Sequence, residues 1–275
     1  VRSLLSFLPD NYLTEPPRVY VEDSPFRETP HVVKISNLTP SQPYDVRDVI
    51  RDIVDLDSFF ELKPNFGKSI VIGFAALDGR SIGIVANNPA ELAGCLDVES
   101  SVKAARFVRL CNSYNIPILT LVDVPGFLPG AEQEQRGIIK EGAKLLFAYC
   151  EATVPRVTLI LKKAYGGAYD VMNSRHIGAD FVFALPNSEI AVMGPEGACK
   201  VVFKKRLENE SSSRTNVFQE LVNEYRQDIA NVRVAESLGF VDSVIDPSKT
   251  REVIIKSFRS LKRAQRRFAQ KNIPL

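Results

Sequence analysis

From Ser69 onward the chain alternates between short runs rich in β-branched residues and longer stretches with three- and four-residue apolar spacing, a pattern that restricts the fold to α/β layers. Two of the runs, Ser69 to Ala76 and Ser81 to Ala86, are separated by Leu77-Asp78-Gly79-Arg80. An Asp-Gly pair accepts the positive φ angles of a tight hairpin turn, so two paired strands are expected. The pattern then predicts a helix over Glu99 to Tyr114, a strand over Ile116 to Val122, a helix over Gln133 to Ala152 and a strand over Arg156 to Leu161, with a further helix opening at Gly166. Ala104, Phe107, Val108 and Cys111 form one expected core stripe, and Ala143, Leu146, Phe147 and Cys150 a second. Phe181 to Leu185 and Glu189 to Met193 read as short strands, Gly194-Pro195 as a helix start, and Asp246 as the cap of a long last helix with apolar positions from Val253 to Phe268.

Upstream the character changes. The first 43 residues hold seven of the 17 prolines, each of which lacks a backbone donor and biases its neighbour to extended geometry, so this segment is expected to be a linker or wrapping arm. A short helix from Asp45 to about Ile53 follows, and residues 44–275 are expected to form one domain. The chain opens on Val1 in a Leu-rich turn that reads as the end of a helix, an expectation that something precedes it.

Charge and composition remove several function classes. A formal net charge of +2 gives no reason to expect nucleic acid or an anionic membrane as partner. No apolar run reaches the roughly 18 residues of a membrane span, and Cys95, Cys111, Cys150 and Cys199 fall in no C-x-x-C pair. The expected environment is soluble, reducing and intracellular. With only His31 and His176 and no G-x-S-x-G, a hydrolase triad is poorly supported; phosphate-loop motifs are absent, and neither histidine is spaced with other ligands for a metal.

Two loops remain. Lys162-Lys163-Ala164-Tyr165-Gly166-Gly167-Ala168-Tyr169-Asp170 follows an apolar strand and opens a helix, where unpaired N–H groups and the positive dipole end favour an anion. The same residues also suit a plain strand-to-helix turn. Asp123-Val124-Pro125-Gly126-Phe127-Leu128-Pro129-Gly130 ends another strand and could present an N–H around Gly126 or Phe127, or simply be a rigid loop. Asp123 and Asp170 are open to roles as bases, orienters or caps, with Asp170 about one turn into the helix. The run Lys256, Arg259, Lys262, Arg263, Arg266, Arg267 and Lys271 reads as a solvated face that could also meet CoA phosphates or an acidic partner. Ser211-Ser212-Ser213 reads as a loop.

Taken in order, Gly83-Ile84-Val85-Ala86-Asn87-Asn88-Pro89, Ala93-Gly94-Cys95-Leu96-Asp97, the Asp123–Gly130 loop, the stretch Lys163 to Asp180 and Ile190 to Ala198 resemble the carboxyltransferase (β) subunit of biotin-dependent acyl-CoA carboxylases, nearest to propionyl-CoA carboxylase. The resemblance runs over essentially the whole chain and implies a crotonase/ClpP-type ββα superhelix, the second of two such domains. It implies carboxyl transfer from carboxybiotin to a short-chain acyl-CoA, propionyl-CoA or acetyl-CoA, through a biotin enolate, with biotin presented by a carrier protein rather than held covalently. Related decarboxylases and transcarboxylases run the same half-reaction, and an isolated second domain could serve only binding and assembly. By motif, Gly166, Gly167 and Ala168 would be catalytic, Gly126 and Phe127 would join Gly167 and Ala168 around biotin, and Tyr169 and Asp170 would meet the acyl group. Implied partners are a biotin carboxyl carrier protein with its biotin carboxylase subunit, acyl-CoA, an N-terminal carboxyltransferase domain, and further copies in a trimer-of-dimers hexamer. Neither nucleic acid nor a membrane is implied, no metal is needed, and the location would be the cytoplasm, or the mitochondrial matrix in a eukaryote.

Overall fold

The apolar runs pair into one twisted sheet because each is hydrophobic on both faces and needs cover on both. The computed structural model describes residues 1–19, 21–204 and 214–262. Its strands are β1 (Phe60–Leu62), β2 (Ile70–Leu77), β3 (Arg80–Asn87), β4 (Ile118–Val124), β5 (Arg156–Tyr165), β6 (Phe181–Ala184), β7 (Glu189–Ala191) and β8 (Ser243–Val244), ordered β1-β2-β3-β4-β5-β6-β8 with β7 also against β5. β1, β2 and β3 pair antiparallel, and every later pairing is parallel. Leu77 pairs with Arg80 across the hairpin, and Asp78 and Gly79 take φ of 54° and 71°, the two positive angles that the Asp-Gly pair predicts.

Helices α1 (Arg2–Leu5) and α2 (Pro30–Ser36) lie in the first 43 residues, followed by α3 (Val46–Ile53), α4 (Val98–Ser113), α5 (Ala131–Gln135), α6 (Ile138–Glu151), α7 (Gly166–Asp170), α8 (Pro195–Val202), α9 (Arg214–Asp228), α10 (Val232–Ser237) and α11 (Thr250–Ser260). Residues from α4 and α6 fill one core with Ile70, Ile72, Val122 and Ile160; residues from α2, α3 and α11 fill the other with Val71, Leu119, Leu121 and Leu159. Alternate residues of each strand thus enter opposite cores, giving three layers. Asp45 caps α3 by accepting from Arg47 N–H at 2.9 Å, and Asp97 caps α4 through a reciprocal box with Ser100.

Four expectations need correction. The helix expected over Gln133 to Ala152 is two helices, because Gly137 takes a left-handed φ of 79° and restarts the chain as the N-cap of α6. The inward stripe of α6 is Ile138, Gly142, Leu145, Ala148 and Tyr149; Phe147 and Cys150 are exposed, and Ala143 and Leu146 only partly covered. Tyr149 explains the rotation: its hydroxyl is bonded to Thr120 Oγ1 at 2.9 Å under the sheet, which turns this face inward. β7 stops at Ala191, with Val192 81% exposed, and α11 ends at Ser260 because Leu261 is extended. Ala264, Phe268, Arg263, Arg266, Arg267, Lys271 and the serine run lie outside the described residues. Of the remaining basic run, Lys256 is paired with Glu252 and Arg259 with Asp78.

The segment before α3 is stitched to the domain by buried charge. Arg251, fully buried, donates to the Ile53 and Ser24 carbonyl oxygens and to Asp55, with Asp23 3.2 Å away. Asp55 in turn accepts from the Asp78 and Gly79 N–H groups of the hairpin. All four cysteines are free, Cys111 and Cys199 buried and Cys150 exposed. No described helix is long and apolar enough to cross a membrane.

Candidate functional site

β5 runs four residues beyond its expected end, and this extension builds the site. Its first half pairs with β6 and its last three residues, Lys163 to Tyr165, pair with β7. On the other side β4 pairs with β5 as far as Val122↔Ile160, the register slips, and pairing resumes at Val124↔Ala164. Gly126 and Gly166 therefore each lie two residues beyond the same rung of two neighbouring parallel strands, whose typical spacing is about 4.8 Å. The two loops singled out in the sequence leave the carboxyl edge of the sheet side by side.

Gly166 takes φ +53°, and a Cβ there would stand 2.7 Å from the Val192 carbonyl oxygen. It turns the chain directly from β5 into the single turn of α7, whose Val171 N–H reaches Gly167 O at 3.2 Å. Gly167 and Ala168 occupy the first turn, where N–H groups have no carbonyl one turn back within the helix. Gly167 is exposed and a Cβ on it would meet nothing within 4 Å; Ala168 is buried beneath it. Gly126 also has open space at its Cβ position. The Phe127 backbone bridges to Leu96, with Leu96 N–H to Gly126 O at 3.1 Å and Leu128 N–H to Leu96 O at 2.8 Å. Its ring packs on Gly142 of α6, where an added Cβ would lie 2.7 Å from it, so the Phe127 side chain is a packing group.

Asp170 and Tyr169 line a cavity of about 470 Å³ together with Gly166, Ile190, Ile229 and Phe240. Burial pushes the Tyr169 phenol above its usual value. Behind Gly166, the Tyr165 hydroxyl donates to Glu189, which also accepts from Arg226 at 3.0 Å. His176 is exposed, its ring tilted against Phe240 with centroids 4.7 Å apart, and it lines the same cavity as Gly166 and Asp170.

Sequence reading missed how Asp123 is held. Its side chain is 1% exposed and accepts from the Tyr44 hydroxyl at 3.0 Å and from the Lys163 N–H at 3.2 Å, with the Lys163 ammonium 3.4 Å away. Burial pushes the Asp123 carboxyl up while Lys163 works against that, and burial lowers Lys162. The partners are 79 and 40 residues away in sequence, so local spacing carried no sign of them. Among the described residues no group of three or more His, Cys, Asp or Glu is arranged around a metal position.

The chain superposes on transcarboxylase 12S, solved as a hexamer with methylmalonyl-coenzyme A bound, with a TM-score of 0.93 at 45% identity over 99% of this chain and 52% of that one, which places its layered α/β sheet in the crotonase-like class. The carboxyl transferase domain model matches residues 1–273, and the chain belongs to that family. It is 51% identical over 280 residues to the propionyl-CoA carboxylase carboxyltransferase subunit of Haloferax mediterranei, covering 100% of this chain and 54% of the relative. It is 45% identical over 278 residues to the methylmalonyl-CoA decarboxylase subunit alpha of Propionigenium modestum, again 100% and 54%. The chain thus spans about half the length of the curated relatives it matches.

Proposed function

We propose that this chain carries the biotin-facing half of a carboxyltransferase site, in a protein that moves a carboxyl group from carboxybiotin on a carrier protein to a short-chain acyl-CoA, propionyl-CoA before acetyl-CoA. The carrying observation is the Val124↔Ala164 rung, which sets Gly126 and Gly166 on the same edge two residues further on. The fit to biotin rests on the glycines: the open space at Gly126 and Gly167 leaves backbone N–H groups approachable by a flat ureido ring. Bound biotin supplies the carboxyl group and, once relieved of it, a ring nitrogen that takes up a proton.

The chain's own residues have three tasks. The Gly167 and Ala168 N–H groups donate to the ureido oxygen, where negative charge grows; one such donor is worth about 3 to 4 kcal/mol in acyl-transfer enzymes. The Gly126–Phe127 backbone closes the other side. Tyr169 and Asp170 shape the wall that the acyl group meets. The opposing wall and most of the acyl-CoA binding come from an N-terminal carboxyltransferase domain, opposed to this one across subunits of a hexamer. Decarboxylation is the second reading, favoured by the likeness to the decarboxylase subunit of Propionigenium modestum.

The test is a subunit of the relatives' full length, given free biotin and methylmalonyl-CoA. Biotin-dependent decarboxylation is expected, faster than with malonyl-CoA. Biotin-independent loss of the carboxyl group, or none, would contradict the reading.

A further inference from the structure

Asp123 stands at the one place where β4 and β5 fall out of register. Between the rungs Val122↔Ile160 and Val124↔Ala164, β4 has one residue and β5 has three, Leu161, Lys162 and Lys163. A bulge leaves ladder groups without strand partners. The Asp123 carboxylate supplies an acceptor for one of them, the Lys163 N–H, at 3.2 Å. Its own N–H goes to Asn87 Oδ1 at 3.4 Å, and Asn87 Nδ2 holds the Gly94 carbonyl at 3.3 Å. Gly94, at φ +80°, lies so close that a Cβ would come within 2.4 Å of the Asp123 carbonyl oxygen. The second carboxylate oxygen takes the Tyr44 hydroxyl at 3.0 Å. Both lysines reach the same segment of the arm, Lys162 to the Thr39 carbonyl and Lys163 to the Pro40 carbonyl at 3.1 Å. The Asp123 side chain therefore joins the ends of β4 and β5 to Tyr44, and the two lysines tie the same place to residues 39–40, three residues before Gly126 and Gly166 alike.

We infer that Asp123 is a positioning residue for the proposed carboxyl transfer: it fixes the spacing of the two glycine loops, and Tyr44 and residues 39–40 lock it in place. It touches no reacting atom. The inference rests on the proposed function, and it assigns the network a task in turnover beyond holding the fold.

The experiment uses the full-length subunit with free biotin and methylmalonyl-CoA, comparing wild type, Asp123→Asn and Tyr44→Phe. Asn keeps the shape and one acceptor oxygen but weakens the bonds that a carboxylate makes. For Asp123→Asn, assayed at a temperature where the variant is folded, the expected result is kcat down roughly 30-fold or more with KM for acyl-CoA within about twofold, since a donor displaced by an ångström loses about 100-fold. Tyr44→Phe lowers kcat several-fold in the same pattern, and because it removes only a hydroxyl it serves if Asp123→Asn does not fold. Amide exchange at residues 126–128 and 165–168 rises together in both variants. Wild-type kcat in either variant, or a fall in activity that merely tracks loss of folded protein, overturns the positioning role. Failure of the wild-type subunit to use biotin overturns instead the function on which it rests. Unchanged exchange in both loops overturns the coupling whatever the activity.

Discussion

Gly166 and Gly167 are neighbours, yet a methyl group added to each meets opposite surroundings. At Gly166 it would be strained by φ +53° and pressed to 2.7 Å from the carbonyl of Val192, the residue just past β7. A left-handed conformation alone costs a residue with a Cβ about 1 to 2 kcal/mol, so Gly166→Ala is expected to lower the melting temperature by roughly 2 to 8 °C. At Gly167 the methyl meets nothing within 4 Å, and Gly167→Ala should melt with wild type. Thermal denaturation of the two variants checks the pair; equal losses would contradict it. The sequence pointed to both glycines but left open whether they formed a turn or an anion site. What separates them is a carbonyl 26 residues away, which local pattern does not report.

The same limit applies to elements, where contacts from far along the chain decide the ends. β5 was legible as far as Leu161 because its apolar run stops at two lysines. It continues because the ammonium groups of Lys162 and Lys163 reach the carbonyls of Thr39 and Pro40. The α4 stripe was legible in full, since Ala104, Phe107, Val108 and Cys111 are all buried. Between α4 and β2, Lys103 is buried with its ammonium on the carbonyls of Ile70 at 2.8 Å and Gly67 at 3.3 Å, and burial lowers it from 10.5 to about 8. Between those two values the unfolded chain holds the extra proton and the native protein does not. The Lys103 contribution to stability therefore rises as pH increases through about 8 to 10.5, and this component should vanish in Lys103→Met when melting is followed against pH. The arm gives a larger effect. Arg251→Met leaves Asp23 and Asp55 buried without their shared cation and is expected to cost about 3 to 5 kcal/mol in denaturant unfolding. A loss under 1 kcal/mol would mean that the arm is not held by this cluster.

For the whole molecule, layer order and the likeness to biotin-dependent carboxyltransferases were both legible from motifs spread along the chain, and the family match over residues 1–273 agrees with them. The sheet adds the reason why two loops 40 residues apart lie side by side: both leave one edge of adjacent strands, after a bulge bridged by Asp123. The cavity beside Asp170 was not legible, because Ile229 and Phe240 come to it from well beyond the recognised loops. The most direct test of the central claim is a titration of free biotin into the full-length subunit carrying Gly167→Val, alongside wild type, with methylmalonyl-CoA saturating. A Cβ at Gly167 meets nothing within 4 Å, and the two γ-methyl groups of valine are expected to crowd the donors. The account predicts kcat/KM for biotin lowered about 100-fold, the order of one lost oxyanion donor, with acyl-CoA affinity and melting temperature unchanged. Wild-type use of biotin by this variant, or a loss of acyl-CoA affinity in its place, would contradict it.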